Sequence, residues 1–544
     1  MIDIPSLLLA AALATPLLLA CACLFPAARR HALTLLPLAP LPGLLAALSA
    51  PFAGPASFAA PALRLVLALD APGAVLLGVA ALLWTIAGFY AAAAMRDRAH
   101  ALRFAISWLL TLSGSLGVFI AADLLTFYLV FALVSLPAFA LIVHDGDAAA
   151  ARAGAVYLAF TLLGETVLLF GFVLLAAGEP NGSPLITDVM AALPQSPFAA
   201  PALALTMAGF CMKMALVPMH GFLPLSYTAA PIAAASVLSG AAIKAGVIGI
   251  IRFLPYDAAL PGLSEALTAA GLFSAFYGVA LGITQKNPKT ILAYSSISQM
   301  GVIAVVLGMG LSADDRGVLI DAAFYGANHL LIKGALFLAV GVAAITGPKR
   351  LRLVIWPALL LALSLGGLPL TGGALAKLAV KDTLGSYIVG ALANLSAAGT
   401  TMLMLHFVAR VEACAATDPD AKAPAGLAAP WLAAALAALV VPWLIFPVLG
   451  ETFSYALSPP ILVDGLWPVL LGVLLSLALR RWGDRLPEPA AGDIVGAEEA
   501  GFRALFPIGA LMERADLAIR RWPAATLSLA TLAILFGVLL AKGF

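Results

Sequence analysis

Charge is what this chain has least of. Asp, Glu, Lys and Arg together make up 10% of its 544 residues, against about 25% in a soluble domain, which excludes a soluble enzyme of this size. Cysteine is almost as scarce. Cys21, Cys23, Cys211 and Cys414 give no CxxC pair and no Cys/His ligand set, so zinc, haem and iron–sulfur sites have no sequence support. Neither GxGxxG nor a GxxxxGK loop followed by Ser or Thr occurs, which removes the common nucleotide sites. The net charge of +2 gives no basis for binding nucleic acid. No cofactor and no metal are expected. The start, Met1-Ile2-Asp3-Ile4-Pro5, lacks the basic residues of a secretory leader, so the apolar run to about Phe25 is expected to be a first membrane span.

What the chain has in abundance is apolar length: 63% of it is hydrophobic, with a mean hydropathy of +1.07. A membrane helix needs about 20 apolar residues, and the runs here are continuous, which excludes an outer-membrane barrel with its alternating pattern. A window of about 19 residues finds sixteen candidate spans, among them 32–50, 199–217, 354–380 and 523–541. The expected fold class is therefore an all-α polytopic membrane protein with about 16 transmembrane helices. The basic residues order these spans. Lys and Arg crowd into the loops after odd-numbered spans, and only Arg64, Arg252, Arg316 and Lys542 lie on the other side. By the positive-inside rule the odd loops face the cytoplasm and both termini face out of a cytoplasmic (inner) cell membrane.

After the loops are accounted for, five basic residues remain, all lysines and all inside apolar segments: Lys213, Lys244, Lys333, Lys377 and Lys381. A charge at the bilayer centre costs about 2.5–3.5 kcal/mol on insertion scales, and such residues mark ion or proton routes. Arginine would hold its charge there, whereas lysine can release a proton when desolvated. Five such lysines and no such arginine suit a proton relay; snorkelling from a span end is the alternative, most of all for Lys381.

Acidic and aromatic partners sit beside them. Glu165, midway along the sixth span, is expected to have a lysine partner, with Lys213 the candidate directly or through water; a neutral, protonated structural carboxyl is the alternative. Asp321, Tyr325, His329 and Lys333 recur every four residues and draw one polar stripe down a helix. Lys377 and Lys381 would repel if both were charged, with Asp382 as the expected relief. Two spans are interrupted: the seventh after Lys213, by Pro218 and Pro224, and the twelfth at Gly366-Gly367-Leu368-Pro369-Leu370-Thr371-Gly372-Gly373. Irregular backbone at membrane depth is tolerated only against protein or a water-filled cavity. Breaks five spans apart, an odd offset, fit repeats of inverted topology.

In these residues the sequence resembles the antiporter-like membrane subunits shared by respiratory complex I, Mrp-type Na+/H+ antiporters and group-4 membrane-bound hydrogenases. The resemblance rests on Lys213…Val217-Pro218…Leu223-Pro224, on Ala235-Ser236-Val237-Leu238-Ser239-Gly240 with Lys244 and Arg252, and on Leu292-Ala293-Tyr294-Ser295-Ser296-Ile297-Ser298-Gln299-Met300-Gly301. It extends through Asn328-His329…Lys333 and Gly367-Leu368-Pro369…Lys377, and covers about 70 to 410. It implies a fourteen-helix core: N-terminal helices over 1–103, inverted five-helix repeats over 104–251 and 261–409, and C-terminal helices over 430–544. Within the last, an amphipathic stretch near 482–522 implies docking to sister subunits. It also implies Lys213 as the central channel lysine, Lys244 as the connecting one and Lys377 as the terminal one, with His329 and Lys333 on the same axis.

One departure stands out. The family pattern has glutamate in the fifth helix where this chain has Ala132, and Glu165 on the neighbouring helix is the candidate replacement. The resemblance thus implies a proton-translocating subunit of a complex-I-like or hydrogenase-like assembly, without a redox site of its own. Its partners would be the lipid bilayer, sister membrane subunits and protons. The alternatives are an Mrp-type Na+/H+ antiporter subunit or ion-coupled inorganic-carbon transporter, with Na+ as a further ion, and a scaffold subunit with an impaired channel.

Overall fold

Helix starts are written into the sequence as Asp or Asn followed by apolar runs. Asp70, Asp123 and Asp147 each accept a hydrogen bond from the backbone N–H three residues on, and Asn287 accepts one from Lys289. Pro72 and Pro288, which lack an N–H to lose, occupy the first turns behind two of these caps. A computed structural model describes residues 4–53, 56–60, 64–256, 262–385 and 387–496, with 500 and 514. The elements in chain order are α1 (Ile4–Ala22), α2 (Leu41–Ala53), strands β1 (Ala56–Ala60) and β2 (Leu65–Leu69), α3 (Ala71–Ala94), α4 (Ala101–Gly117), α5 (Leu124–Ile142) and α6 (Ala148–Ala177). Then come α7 (Ala199–Lys213), α8 (Phe222–Ala229), α9 (Ile232–Val237), α10 (Lys244–Phe253), α11 (Leu263–Gly282), α12 (Pro288–Ser312) and α13 (Val318–Ala343). The chain continues through α14 (Pro348–Gly366), α15 (Gly372–Ala379), α16 (Ile388–Glu412), α17 (Ala425–Ile445) and α18 (Pro459–Trp482).

Among the described residues eleven helices are long and apolar enough to cross a membrane, and three shorter apolar ones accompany them. The protein is a polytopic helical membrane protein, and among the described residues fewer of the expected spans are single uninterrupted helices than the sequence suggested. The expected span at 32–50 is not one helix. Pro37, Pro40 and Pro42 break it into the turn Ala32–Leu35 and α2, because each proline removes a backbone donor. The expected span at 523–541 lies outside the described residues, as does most of the 482–522 stretch. Where that stretch is described, it leaves α18 through a 3-10 turn at Gly483–Arg485 and shows no further helix to residue 491. The antiparallel hairpin β1–β2 is also a departure from an all-α chain. Residues 1–491 and 492–544 group as two units, and in the second Val495 closes a turn onto Gly492.

Burial separates inner helices from outer ones. The window Ile232–Phe253 is 100% buried and those of α12 and α13 are 94% buried, against 28% for α1 and 22% for α18. Exposed leucines and phenylalanines of the outer helices meet hydrocarbon in a bilayer, so polar side chains concentrate on the inner ones. Arg252, expected as a loop charge, is instead a structural knot at the end of α10. Its guanidinium donates to the carbonyls of Val118 (3.2 Å), Phe119 (2.6 Å) and Ala121 and pairs with Asp70 at 3.3 Å. It thereby satisfies carbonyls left open after α4.

Candidate functional site

Three interruptions of helix geometry place the lysines. The first follows α7: residues 214–221 are irregular, Ala215 takes φ +56°, and Ser274 on α11 accepts from the Val217 N–H. The second lies between α14 and α15, where Gly367 (φ +100°) turns the chain and Leu370 takes φ +66°. A non-glycine residue in the left-handed region costs of order 1–3 kcal/mol, and both breaks carry one. The third was not foreseen. A π-helical turn, Leu238–Ala242, separates α9 from α10 and ends one residue before the helix that Lys244 opens. Such turns insert an extra residue and redirect side chains.

At the first break Lys213 bonds to Ser135 rather than to Glu165. Its Nζ donates to Ser135 Oγ at 2.7 Å and lies 5.4 Å from the centre of the Phe131 ring. Glu165 is buried, 6% exposed, and its Oε1 has no hydrogen-bond partner. Glu165, Lys213, Ser135, Tyr157 and Thr161 line one cavity of about 20 Å³, room for about one water molecule. The expected Glu165–Lys213 pair is therefore a shared pocket with Ser135 between its members. Ser135 was legible in hindsight, because it lies three residues from Ala132 and so on the same face of α5.

The central cluster joins α10, α12 and α13. Lys244 and His329 are both fully buried, and Lys244 Nζ lies 2.8 Å from His329 Nδ1. One turn along α13, Tyr325 donates to Gln299 Oε1 at 2.8 Å, and Gln299 Nε2 donates to Thr400 Oγ1 at 3.1 Å. Lys333, one turn the other way, is fully buried and donates a hydrogen bond to the Leu292 carbonyl at 2.5 Å, not to His329. Asp321, at the end of the stripe, is only half-buried. Gln299 and Thr400 were missed as site residues, although Gln299 stands inside the Ser298-Gln299-Met300 motif.

Gln299, Tyr325 and Thr400 also line a cavity of about 580 Å³ whose walls include Lys377, Lys381 and Asp464. Lys377 Nζ donates to the Gly366 carbonyl at 2.7 Å, satisfying an acceptor that the second break leaves open. Lys381 departs from expectation twice. Its side chain is 45% exposed, and its partner is Asp464 of α18 at 2.5 Å, not Asp382. Asp464 lies outside the span in which Lys381 was read, so nothing in local spacing could pair them. Pairs this exposed contribute about 0–1 kcal/mol. Lys381→Ala is accordingly expected to change ion flux less than threefold and Lys377→Ala by about tenfold or more, measured in the same vesicles.

These features define a class: a polytopic membrane protein with lysines, two of them fully buried, placed among broken helices. The chain belongs to the NADH:quinone oxidoreductase/Mrp antiporter transmembrane family, whose pattern it matches over residues 121–402. It is 32% identical over 297 residues to the Na+/H+ antiporter subunit A1 of Staphylococcus aureus, covering 51% of this chain and 37% of that one. It is 29% identical over 310 residues to hydrogenase-4 component B of Escherichia coli, covering 54% and 45%. The chain thus spans less than half the length of these two relatives. Its fold is like that of a chain in the Mrp complex of a Dietzia species, with a TM-score of 0.70 at 23% identity, over 86% of this chain and 99% of that one.

Proposed function

We propose that this chain is a proton-translocating subunit of a complex-I-like or hydrogenase-like membrane assembly, with any redox chemistry performed by sister subunits. The observation that carries the reading is the fully buried Lys244–His329 contact at 2.8 Å; one turn along α13 a separate set, Tyr325, Gln299 and Thr400, borders the cavity that Lys377 lines. Lysine and imidazole in contact can hold one proton on either nitrogen. From His329 the proton has to cross to Tyr325 by way of water, and beyond it the Tyr325 and Thr400 hydroxyls have to reorient. Protons enter near Glu165 and Lys213, pass Lys244 and His329, and leave by Lys377. Lys333 tunes the charge felt by the central pair, and Lys381 with Asp464 borders the outlet.

The charge distribution of the loops supports a topology with the loops after odd-numbered spans in the cytoplasm. The two breaks support inverted repeats over 104–251 and 261–409. The test is Lys213→Ala in the intact assembly: proton transfer in sealed vesicles falls by about tenfold or more, and full retention overturns the assignment. The likeness to an Na+/H+ antiporter subunit and to an Mrp complex chain favours exchange as the second reading. That reading requires Na+-dependent proton flux without NADH, quinone or hydrogen.

A further inference from the structure

Away from the lysine route, a second cavity of about 250 Å³ opens where α16 and α18 end and the α11–α12 loop turns. Its walls carry Lys286, His406, Arg410 and Arg480, with Ser476 and Glu488. Glu488 is committed to Lys286 at 2.5 Å. The segment after α18 is tied across the cavity by Gln285, whose Nε2 donates to the Pro489 carbonyl at 3.2 Å, and His406 Nε2 is held by the Gln285 carbonyl at 2.8 Å. Among the described side chains neither Arg410 nor Arg480 forms an ion pair; Glu412, on the same helix end, is exposed. Close approach of α18 at Gly472 to Ala398 and Thr401 of α16 keeps the two helices, and so the two arginines, together. Both arginines occupy the last turn of long apolar helices, the level at which phospholipid phosphates lie.

We infer that this cavity binds the phosphodiester headgroup of an anionic phospholipid through Arg410 and Arg480. The guanidinium fork suits phosphate oxygens, and the partly enclosed walls spare it full screening by solvent. Lys286 and Glu488 cancel, which leaves the lining with the two positive charges of Arg410 and Arg480 and favours an anionic headgroup over a zwitterionic one. Basic pockets between membrane helices on the side with most Lys and Arg loops are suited to such lipids. The inference does not depend on the transport reading, since no residue of the proton route takes part.

The test uses the full chain purified in mild detergent and stripped of lipid. It is titrated separately with phosphatidylglycerol, phosphatidylcholine and inorganic phosphate, bound ligand being counted by native mass spectrometry. Phosphatidylglycerol is expected to bind and phosphatidylcholine not, and Arg410→Gln with Arg480→Gln should lower phosphatidylglycerol occupancy by about tenfold or more. Should the double variant fail to fold, Arg480→Gln alone, at an exposed helix end, should still give a several-fold loss. Inorganic phosphate binding as tightly, and lost in the same variant, supports the anion site with free phosphate as its source. Equal binding of both lipids, or occupancy unchanged by the variants, overturns it. So does a pocket that takes none of the three and is covered by an acidic protein segment in the assembled complex.

Discussion

Lys244→Met is expected to lower proton flux through the assembled complex by about 10²-fold or more, the scale of a lost acid–base group. Methionine is unbranched and flexible enough to fill the space of the lysine stem, so the helices need not move. What disappears is the basic atom that lies 2.8 Å from His329 Nδ1. The change leaves buried His329 Nδ1 without its partner, which costs about 1–3 kcal/mol, so the melting temperature should fall by a few degrees while the fold is kept. Lys244→Arg sharpens the case. It keeps a cation beside His329, but a guanidinium does not give up its proton in proteins. If the site only needs positive charge, Lys244→Arg retains flux; if it needs a proton that comes and goes, this variant is as impaired as Lys244→Met. Proton uptake into sealed vesicles, read with a pH-sensitive dye, separates the two, and the relay requires the second result.

The same physics explains why part of this site was readable in advance and part was not. A lysine in an apolar run is conspicuous because water is absent from its surroundings, and Lys213, Lys244, Lys333 and Lys377 stood out for that reason alone. The helix breaks were equally visible, since proline and glycine act on their own backbone. The π-helical turn before Lys244 carries no proline and only Gly240, so its cause is tertiary: the Leu83 side chain and the Leu330 carbonyl crowd that glycine from neighbouring helices. Partners were the weakest part. Spacing along one helix predicts which residues share a face, and so it placed Tyr325, His329 and Lys333 together. It cannot say which residue of another helix lies opposite. Ser135 against Lys213, Gln299 and Thr400 beyond Tyr325, and Asp464 against Lys381 all join residues 26 to 101 positions apart. Windowed hydropathy overcounted the spans where prolines subdivide an apolar run, as at 32–50, because hydropathy does not register a missing backbone donor.

Glu165→Gln carries the other large expected effect, a loss of about tenfold or more in proton flux, and Ala132→Glu in the same chain should recover most of it. Glutamine matches glutamate in size, so the cavity shared with Ser135 and Lys213 keeps its shape while the titratable charge is removed. An acid at this site acts on Lys213 by holding its proton and then letting it go as the acid itself is protonated, and an amide can do neither. Ala132 lies one helical turn before Ser135 on α5 and is half-buried, so a carboxylate there would reach the neighbourhood of the same lysine from the other side. The added volume should cost about 1–3 kcal/mol of stability, which a lower melting temperature would register separately from flux. Recovery of flux in Ala132→Glu/Glu165→Gln means that what the pocket requires is one carboxyl group near Lys213, wherever the chain supplies it. Flux that is unchanged by Glu165→Gln leaves Glu165 a neutral core residue and shows that the pocket needs no carboxyl group, whereas flux that is absent from the unaltered chain and appears in Ala132→Glu marks a channel silenced by the missing glutamate.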